Sequence, residues 1–438
     1  MTGAPGEMLH ADVVVVGGGP AGIAAAVRAS ECDRDVVMLH RDPVSGGQIW
    51  RHRVGSPPAR AGRAWIARLE RSRARVVNGA SVVDARAASD GFEILADRDG
   101  APLRVRAARV VLATGAREAF FPFPGWTLPG VMGVGGAQAL LKSGASFAGQ
   151  RVVIAGSGPL LLPVAASLAQ HHARVALVAE QASRAALLRY ARGLWRAPAL
   201  VAQAIGYRAA FARTRYRTGT WVVAAYGGDT LERVVLTDGR RRWEEPADVL
   251  CTGYGLVPNV ELPRLLGCSV FNGAVAVDRW QATSVPGVHA AGETTGVGGS
   301  PLAIVEGEIA ALAICDASAA AAHLLARRDA LARDAARMRA EFAPRAELRM
   351  LPTSDTIICR CEDVAFGALR GFSCAREAKL RTRAGMGACQ GRICGPALER
   401  LLDWDADTVR VPTEPASIAV LASDVASIAA PSHSLTPT

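Results

Sequence analysis

The sequence predicts an α/β protein with one dinucleotide-binding domain inserted in another and a small cysteine-bearing domain after them. Three observations predict it. A strand–glycine turn–helix–strand pattern fills residues 11–40, a second begins at Arg151, and five of the nine cysteines crowd between Cys359 and Cys394. A chain of 438 residues has room for this, because single cores rarely grow past about 250–300 residues.

Ala11–Val16 is an unbroken apolar run, as expected of a strand buried on both faces of a parallel sheet. Gly17-Gly18-Gly19-Pro20-Ala21-Gly22 is the turn, Ile23–Ser30 an Ala-rich helix, and Asp35–Leu39 the next strand. The second unit reads strand Val152–Ala155, turn Gly156-Ser157-Gly158, helix from about Leu160, and strand Arg174–Val178. Gly91–Ala96 and Thr220–Ala225 alternate like short antiparallel strands. Ala317–Phe342 has helical periodicity and reads as a connecting helix, with Pro344 and Pro352 bracketing a linker. The domain boundaries expected are 10–118 with 270–345, 119–269, 353–405, and a mobile tail over 412–438.

Composition excludes several classes. Half the residues are apolar and few are aromatic, as in a compact α/β protein. Residues Met1–Asp12 lack a basic segment followed by an apolar one, so no signal peptide is read and the expected location is cytoplasmic. Any membrane association would then be indirect. The formal charge of +10 invites a nucleic-acid reading, yet Lys142 and Lys379 are the only lysines among fifty basic residues. No nucleic-acid module accompanies them, so nucleic acid is not an expected partner. Nine cysteines in a chain of this class point to metal or redox chemistry.

Gly17-x-Gly19-x-x-Gly22 follows a strand and opens a helix, the context a dinucleotide motif requires. Its glycines allow a tight turn and let a pyrophosphate reach backbone N–H groups at a helix N-terminus, with Pro20 and Ala21 in the same stretch. At the end of the second strand, where an acid usually holds the adenosine ribose, stands Arg41, between His40 and Asp42. Either Asp42 substitutes or the ribose is held differently. In the second turn Leu161 stands where a third glycine would permit close helix packing, and Pro163 follows, so the site reads as degenerate and NAD(P) as an unlikely cofactor.

Gly46-Gly47-Gln48 lies past the second strand, Ala113-Thr114-Gly115 ends an apolar strand, and Ala290-Ala291-Gly292-Glu293 ends another. In this order they resemble the two-dinucleotide flavoproteins that include thioredoxin and glutathione reductases. That resemblance implies FAD at Gly17, Gly19, Pro20, Ala21, Gly22, Asp42, Gly47, Gln48, Thr114, Gly115, Gly292 and Glu293, with Glu293 accepting from the ribityl chain. Neither Cys251 nor Cys268 has a close partner in sequence, so the dithiol chemistry of those reductases is not expected.

Cys359-x-Cys361 and Cys389-x4-Cys394 supply four thiolates in two pairs within 36 residues. Four cysteines suit a [2Fe-2S] cluster or structural zinc. A Cys-x-Cys pair crowds a single tetrahedral ion but can serve a cluster. Cys374, between the pairs, reads as a buried thiol. The residues Ile358–Asp363, Thr382–Gly387 and Cys389-Gln390-Gly391-Arg392-x-Cys394-Gly395 resemble the bacterioferritin-associated-ferredoxin-like (BFD-like) [2Fe-2S] domain. Phe123–Gly133, Ala155–Leu162 and Gly253–Asn259 are similar to the large subunit of the opine oxidase, hydrogen cyanide synthase and D-hydroxyproline (or proline) dehydrogenase family. This resemblance runs from about residue 11 to 405. It implies a [2Fe-2S] cluster on Cys359, Cys361, Cys389 and Cys394. It also implies a partner, the substrate-oxidising flavoprotein subunit, and admits a small ferredoxin-like one. Leu161 fits the family's second turn, whereas Arg41 departs from the family's usual acid.

The function so implied is that of an electron-transferring FAD and [2Fe-2S] subunit of a heteromeric amino- or imino-acid dehydrogenase. No side-chain set for substrate catalysis is found; His171-His172 reads as a solvated pair. A self-contained NAD(P)H-dependent flavin reductase feeding its own cluster, and a scaffold that has lost FAD, are the competing readings. Arg184, Arg189, Arg192, Arg196, Arg208, Arg213, Arg215 and Arg217 lie in an acid-free stretch, 181–228, which is either a solvated face or a dock for an acidic partner. Trp195, Tyr207 and Trp221 would be its apolar anchors.

Overall fold

A computed structural model describes residues 7–194, 198–404 and 409–428. The chain forms two compact units: Met1–Gly115, Pro258–Leu331 and Val409–Thr438 in the first, Ala116–Val257 and Ala332–Thr408 in the second.

The first unit is built on a seven-stranded sheet. Arg75–Asn78, Val36–His40, Glu7–Val16, Ala101–Leu112, Gly91–Arg98 and Ala80–Ala88 follow in that spatial order, and Val288–Ala290 pairs in parallel with Ala101–Leu112. The apolar runs find the predicted place: Val13, Val14 and Val15, and Val36 to Leu39, are at most 1% exposed. Register aligns Val13 with Val36 and Val14 with Val110. Gly91–Arg98 runs antiparallel to both neighbours, as its alternation predicts. The helix Pro20–Glu31 starts on a proline, which needs no N–H there. Its small side chains let the helix Ser300–Ile314 approach closely: a Cβ on Gly307 would lie 2.2 Å from the Ala21 carbonyl oxygen.

Residues 412–428, expected as part of a mobile tail, form contacts with the first sheet. Thr413 N–H donates to Val83 O at 2.8 Å, Ser417 N–H to Asp97 at 2.7 Å, and the helix Ile418–Ile428 buries Val420 against Val83 and Leu95. The rest of the expected tail, 429–438, lies outside the described residues.

The second unit carries a five-stranded parallel sheet, ordered Arg215–Thr218, Arg174–Glu180, Arg151–Gly156, Val249–Gly253, Val131–Gly133. The helix Leu161–Gln170 packs on it, and Trp221–Tyr226, Arg233–Thr237 and Arg242–Pro246 form an antiparallel sheet. The cysteine-bearing residues fold in this unit around Ile358, Leu369, Ala378, Leu398 and Trp404, with a short hairpin and the helices Ala375–Thr382 and Cys394–Leu402. The connecting helix spans Ser318–Glu341, and the division between units falls within it rather than after residue 345. Among the described residues no helix is long and apolar enough to cross a membrane.

Candidate functional site

The first glycine turn is tight from below and open above. A Cβ on Gly17, whose φ is +116°, would meet the Ala113 carbonyl oxygen at 2.1 Å, and one on Gly22 would meet Gly17 O at 1.8 Å. Over Gly19 nothing lies within 4 Å of where a Cβ would stand. Gly19 precedes a twelve-residue helix with no side chain capping its N-terminus. Helix-end N–H groups with clear space before them form a cradle that fits a diphosphate. Gly47 closes one side, its missing Cβ 2.8 Å from Gly19 Cα.

His40 supports this turn. Gly18 N–H donates to its Nδ1 at 3.2 Å, and its Nε2 is 3.0 Å from Val44 O. A ring that accepts on one nitrogen and donates from the other is neutral, and burial pushes its pKa down. A Cβ on Gly18 would strike the ring at 2.5 Å. Arg41 points elsewhere, pairing with Glu414 at 3.2 Å, and both Asp42 oxygens lie 2.9 Å from Arg51 Nη2. The residue that breaks the sequence pattern is thus held by the returning C-terminal segment.

Thr114, Gly115, Gly292 and Glu293 are drawn together by residues that sequence reasoning missed. Thr114 Oγ1–H donates to Asn259 O at 2.8 Å and Asn259 Nδ2–H donates to Thr114 O at 2.8 Å. Thr294 donates to the same Asn259 carbonyl at 2.8 Å, and Asn259 N–H donates to Gly115 O at 2.9 Å. Buried Glu306 accepts from Gly292 N–H at 2.9 Å and from Thr295 Oγ1 at 3.1 Å. Burial raises the Glu293 pKa, against the N–H of Gly299.

The second turn has different surroundings. Leu161 is fully buried at the start of its helix, and Gly158 N–H donates to Glu180 Oε2 at 2.8 Å. His171 and His172 are exposed at the end of that helix.

Cys359, Cys361, Cys389 and Cys394 line one cavity of about 230 Å³ with Phe120, Trp126, Arg360 and Ile393. Cys359 and Cys394 are buried, Cys389 is half-buried and Cys361 exposed. Gly385 N–H points at Cys359 Sγ, 3.4 Å away. Gly387 must be glycine, since a Cβ would lie 2.1 Å from Cys361 Cβ. Burial raises the Cys394 thiol pKa, helped by Cys359 and Cys389. Among the described residues no three His, Cys, Asp or Glu side chains gather to hold a metal ion. Cys374 does not line this cavity, and it is exposed rather than buried because it precedes the helix Ala375–Thr382 on the surface. Cys251 is buried, which pushes its thiol up to about 12, and Cys268 bonds Thr283 Oγ1 at 3.5 Å, so neither is a reactive thiol.

The arginine-rich stretch is less bare than its composition suggests. Arg189 pairs with Glu341 and Arg215 with Glu245, each at 2.8 Å, while Arg217 sits over the Trp243 ring. Trp221 is only 3% exposed and serves the core rather than a docking face. Trp195 and Arg196 lie outside the described residues.

Residues 11–309 match the family described as Pyridine nucleotide-disulphide oxidoreductase. Hydrogen cyanide synthase subunit HcnB of Pseudomonas aeruginosa is 34% identical over 419 residues, covering 87% of this chain and 90% of that one. An opine oxidase subunit of Agrobacterium tumefaciens is 30% identical over 472 residues, covering 94% and 91%. Among solved structures, L-proline dehydrogenase from P. horikoshii has the same fold, with a TM-score of 0.69 at 19% identity over 95% of this chain and 80% of that one. With two thirds of its length inside the family match and relatives of this identity along nearly all of it, the chain belongs to the pyridine nucleotide-disulphide oxidoreductase family, as an FAD-type oxidoreductase.

Proposed function

We propose that this chain is the electron-transferring FAD and [2Fe-2S] subunit of a heteromeric amino- or imino-acid dehydrogenase of the opine, hydroxyproline/proline or glycine type. In this reading substrate oxidation takes place on a partner flavoprotein subunit, and NAD(P) is not a cofactor.

The observation that carries the reading is that four thiols, in two sequence pairs, line one cavity. A Cys-x-Cys pair crowds a single tetrahedral ion but can serve a two-iron cluster, in which each iron takes two cysteines. The resemblance of this segment to BFD-like domains, and the names of the relatives, point the same way. Bound here, FAD would supply two-electron chemistry and the cluster one-electron transfer.

This chain's own residues would do the holding. The N–H groups of Gly19, Ala21 and Gly22 would face a diphosphate, Thr114 and Gly115 are fixed by Asn259, and Gly292 is fixed by Glu306. Cys359, Cys361, Cys389 and Cys394 would hold the cluster, with Gly385 N–H donating to a ligand sulfur. Such a bond stabilises the more negative, reduced state and raises the potential.

Anaerobic reduction tests the division of labour. The purified chain alone should keep its visible absorbance when mixed with proline, hydroxyproline, glycine, an opine or NADH, and lose it to one of the amino compounds once the co-purifying subunit is added. Bleaching of the isolated chain by NADH would favour a self-contained reductase instead.

A further inference from the structure

The second glycine turn is closed by the chain itself. Ser157 Oγ–H donates to Phe342 O at 2.8 Å, and Gln181 Nε2–H donates to Ser157 Oγ at 3.0 Å and to Ala343 O at 2.9 Å. The same amide's Oε1 accepts Arg345 N–H at 3.0 Å, so Gln181 grips the segment by donor and acceptor together. The Phe342 ring lies over Gly158, 3.5 Å from where a Cβ would stand, and meets Tyr190 edge-on at 5.0 Å. Glu341 pairs with Arg189, and Arg345 stacks 4.3 Å above the Trp221 ring. Beyond it Leu348 is fully buried beside Trp221 and Tyr254.

The turn's own polar groups are also spent. Glu180, at the end of the second strand, accepts from Gly158 N–H and from Ala182 N–H, each at 2.8 Å. In a dinucleotide fold that strand end meets the ribose and those N–H groups meet the pyrophosphate. The buried Glu180 carboxyl group occupies the Gly158 N–H that an arriving diphosphate would need.

We propose that Ser157, Gly158 and Gln181 form a binding site whose ligand is this chain's own segment Phe342–Arg345, which excludes a nicotinamide dinucleotide and anchors the cysteine-bearing domain that follows it. An inherited cofactor turn has become a structural socket. Leu161 belongs to the same change, since a large apolar residue in the helix start is compatible with a turn that no longer admits pyrophosphate. The proposal rests on the reading that NAD(P) does not bind the second unit, and is independent of what the cysteines or the first turn hold.

Two arms test it on the full chain with its flavin. Native digestion with trypsin, followed by mass spectrometry, times cleavage after Arg345 and Arg349. Gln181→Ala removes the polar grip on the segment and should speed cleavage there roughly tenfold. Phe342→Ala should do at least as much, and cleavage after Arg98 in the first unit should stay at the wild-type rate. If Phe342→Ala does not fold, Gln181→Ala decides alone. Wild-type cleavage rates at Arg345 and Arg349 in the folded variants overturn the anchor. In the second arm, calorimetry with NADH and NADPH should show no binding to wild type at millimolar concentration. A micromolar dissociation constant would overturn the exclusion while leaving the cluster reading untouched.

Discussion

Thr114 and Asn259 are joined by two reciprocal hydrogen bonds of 2.8 Å across 145 residues of sequence. Thr294 adds a third bond to the same carbonyl, so three loops at the expected flavin site share one asparagine. Replacing Asn259 with Ala leaves the Thr114 carbonyl without its side-chain donor. The variant should lose about 1–3 kcal/mol of unfolding free energy and bind FAD more weakly, measured by denaturant titration and by flavin released on dilution. Wild-type flavin retention would show that this network holds the loops without shaping the site.

Gly19 and Gly22 separate cofactor binding from folding. Gly19 has an ordinary φ of −83° and open space before it, so Gly19→Val should cost the fold about 1 kcal/mol or less. Its side chain would nonetheless fill the diphosphate cradle, and flavin content should fall close to zero. Gly22→Val drives a side chain into Gly17 O and should reduce soluble, folded protein instead. Equal flavin content in Gly19→Val and wild type would move the diphosphate away from this turn.

Much of this site was legible in the sequence because it depends on local rules. Apolar runs, glycine spacing and paired cysteines carry their meaning within a few residues. Asn259 and Glu306 were not, since their roles arise from contacts with loops far away in the chain. The sequence shows Phe342 as the end of a helix and Pro344 as the start of a linker, and does not reveal that this segment's partners, Ser157 and Gln181, lie more than 160 residues earlier. Trp221 suggested an interface by residue type alone, yet burial decides such a role. The Ser- and Ala-rich stretch after Pro412 has little periodicity of its own; its order comes from the sheet it pairs with, through Thr413 and Ser417.

Glu180 should leave a signature in the pH dependence of stability. Burial lifts its pKa to about 7, above the ordinary 4.5, despite the N–H donors of Ala182 and Gly158. The folded state therefore holds a proton there that the unfolded state has released, and this group's contribution falls as pH rises from about 4.5 to 7. Measured against Glu180→Gln, which does not titrate, wild type should lose relative stability across that window. A pH-independent difference between the two proteins would mean that folding leaves the Glu180 pKa at its ordinary value.

The five clustered cysteines should divide four to one. Cys389→Ser removes a thiol from the cavity and should abolish bound iron, whereas Cys374→Ser alters an exposed side chain outside it and should leave iron unchanged. Alkylation of the iron-loaded protein should modify Cys374 first. Iron loss in Cys374→Ser at the level of Cys389→Ser would mean that the cluster ligands have been misassigned.

The iron, acid-labile sulfide and flavin content of anaerobically purified protein bears most directly on the proposed function. About two iron and two sulfide per chain, with FAD and an electron paramagnetic resonance signal that appears on one-electron reduction, is the expected result. One zinc per chain without sulfide would contradict it, and would leave an FAD-type oxidoreductase with a structural metal domain in place of an electron-transferring one.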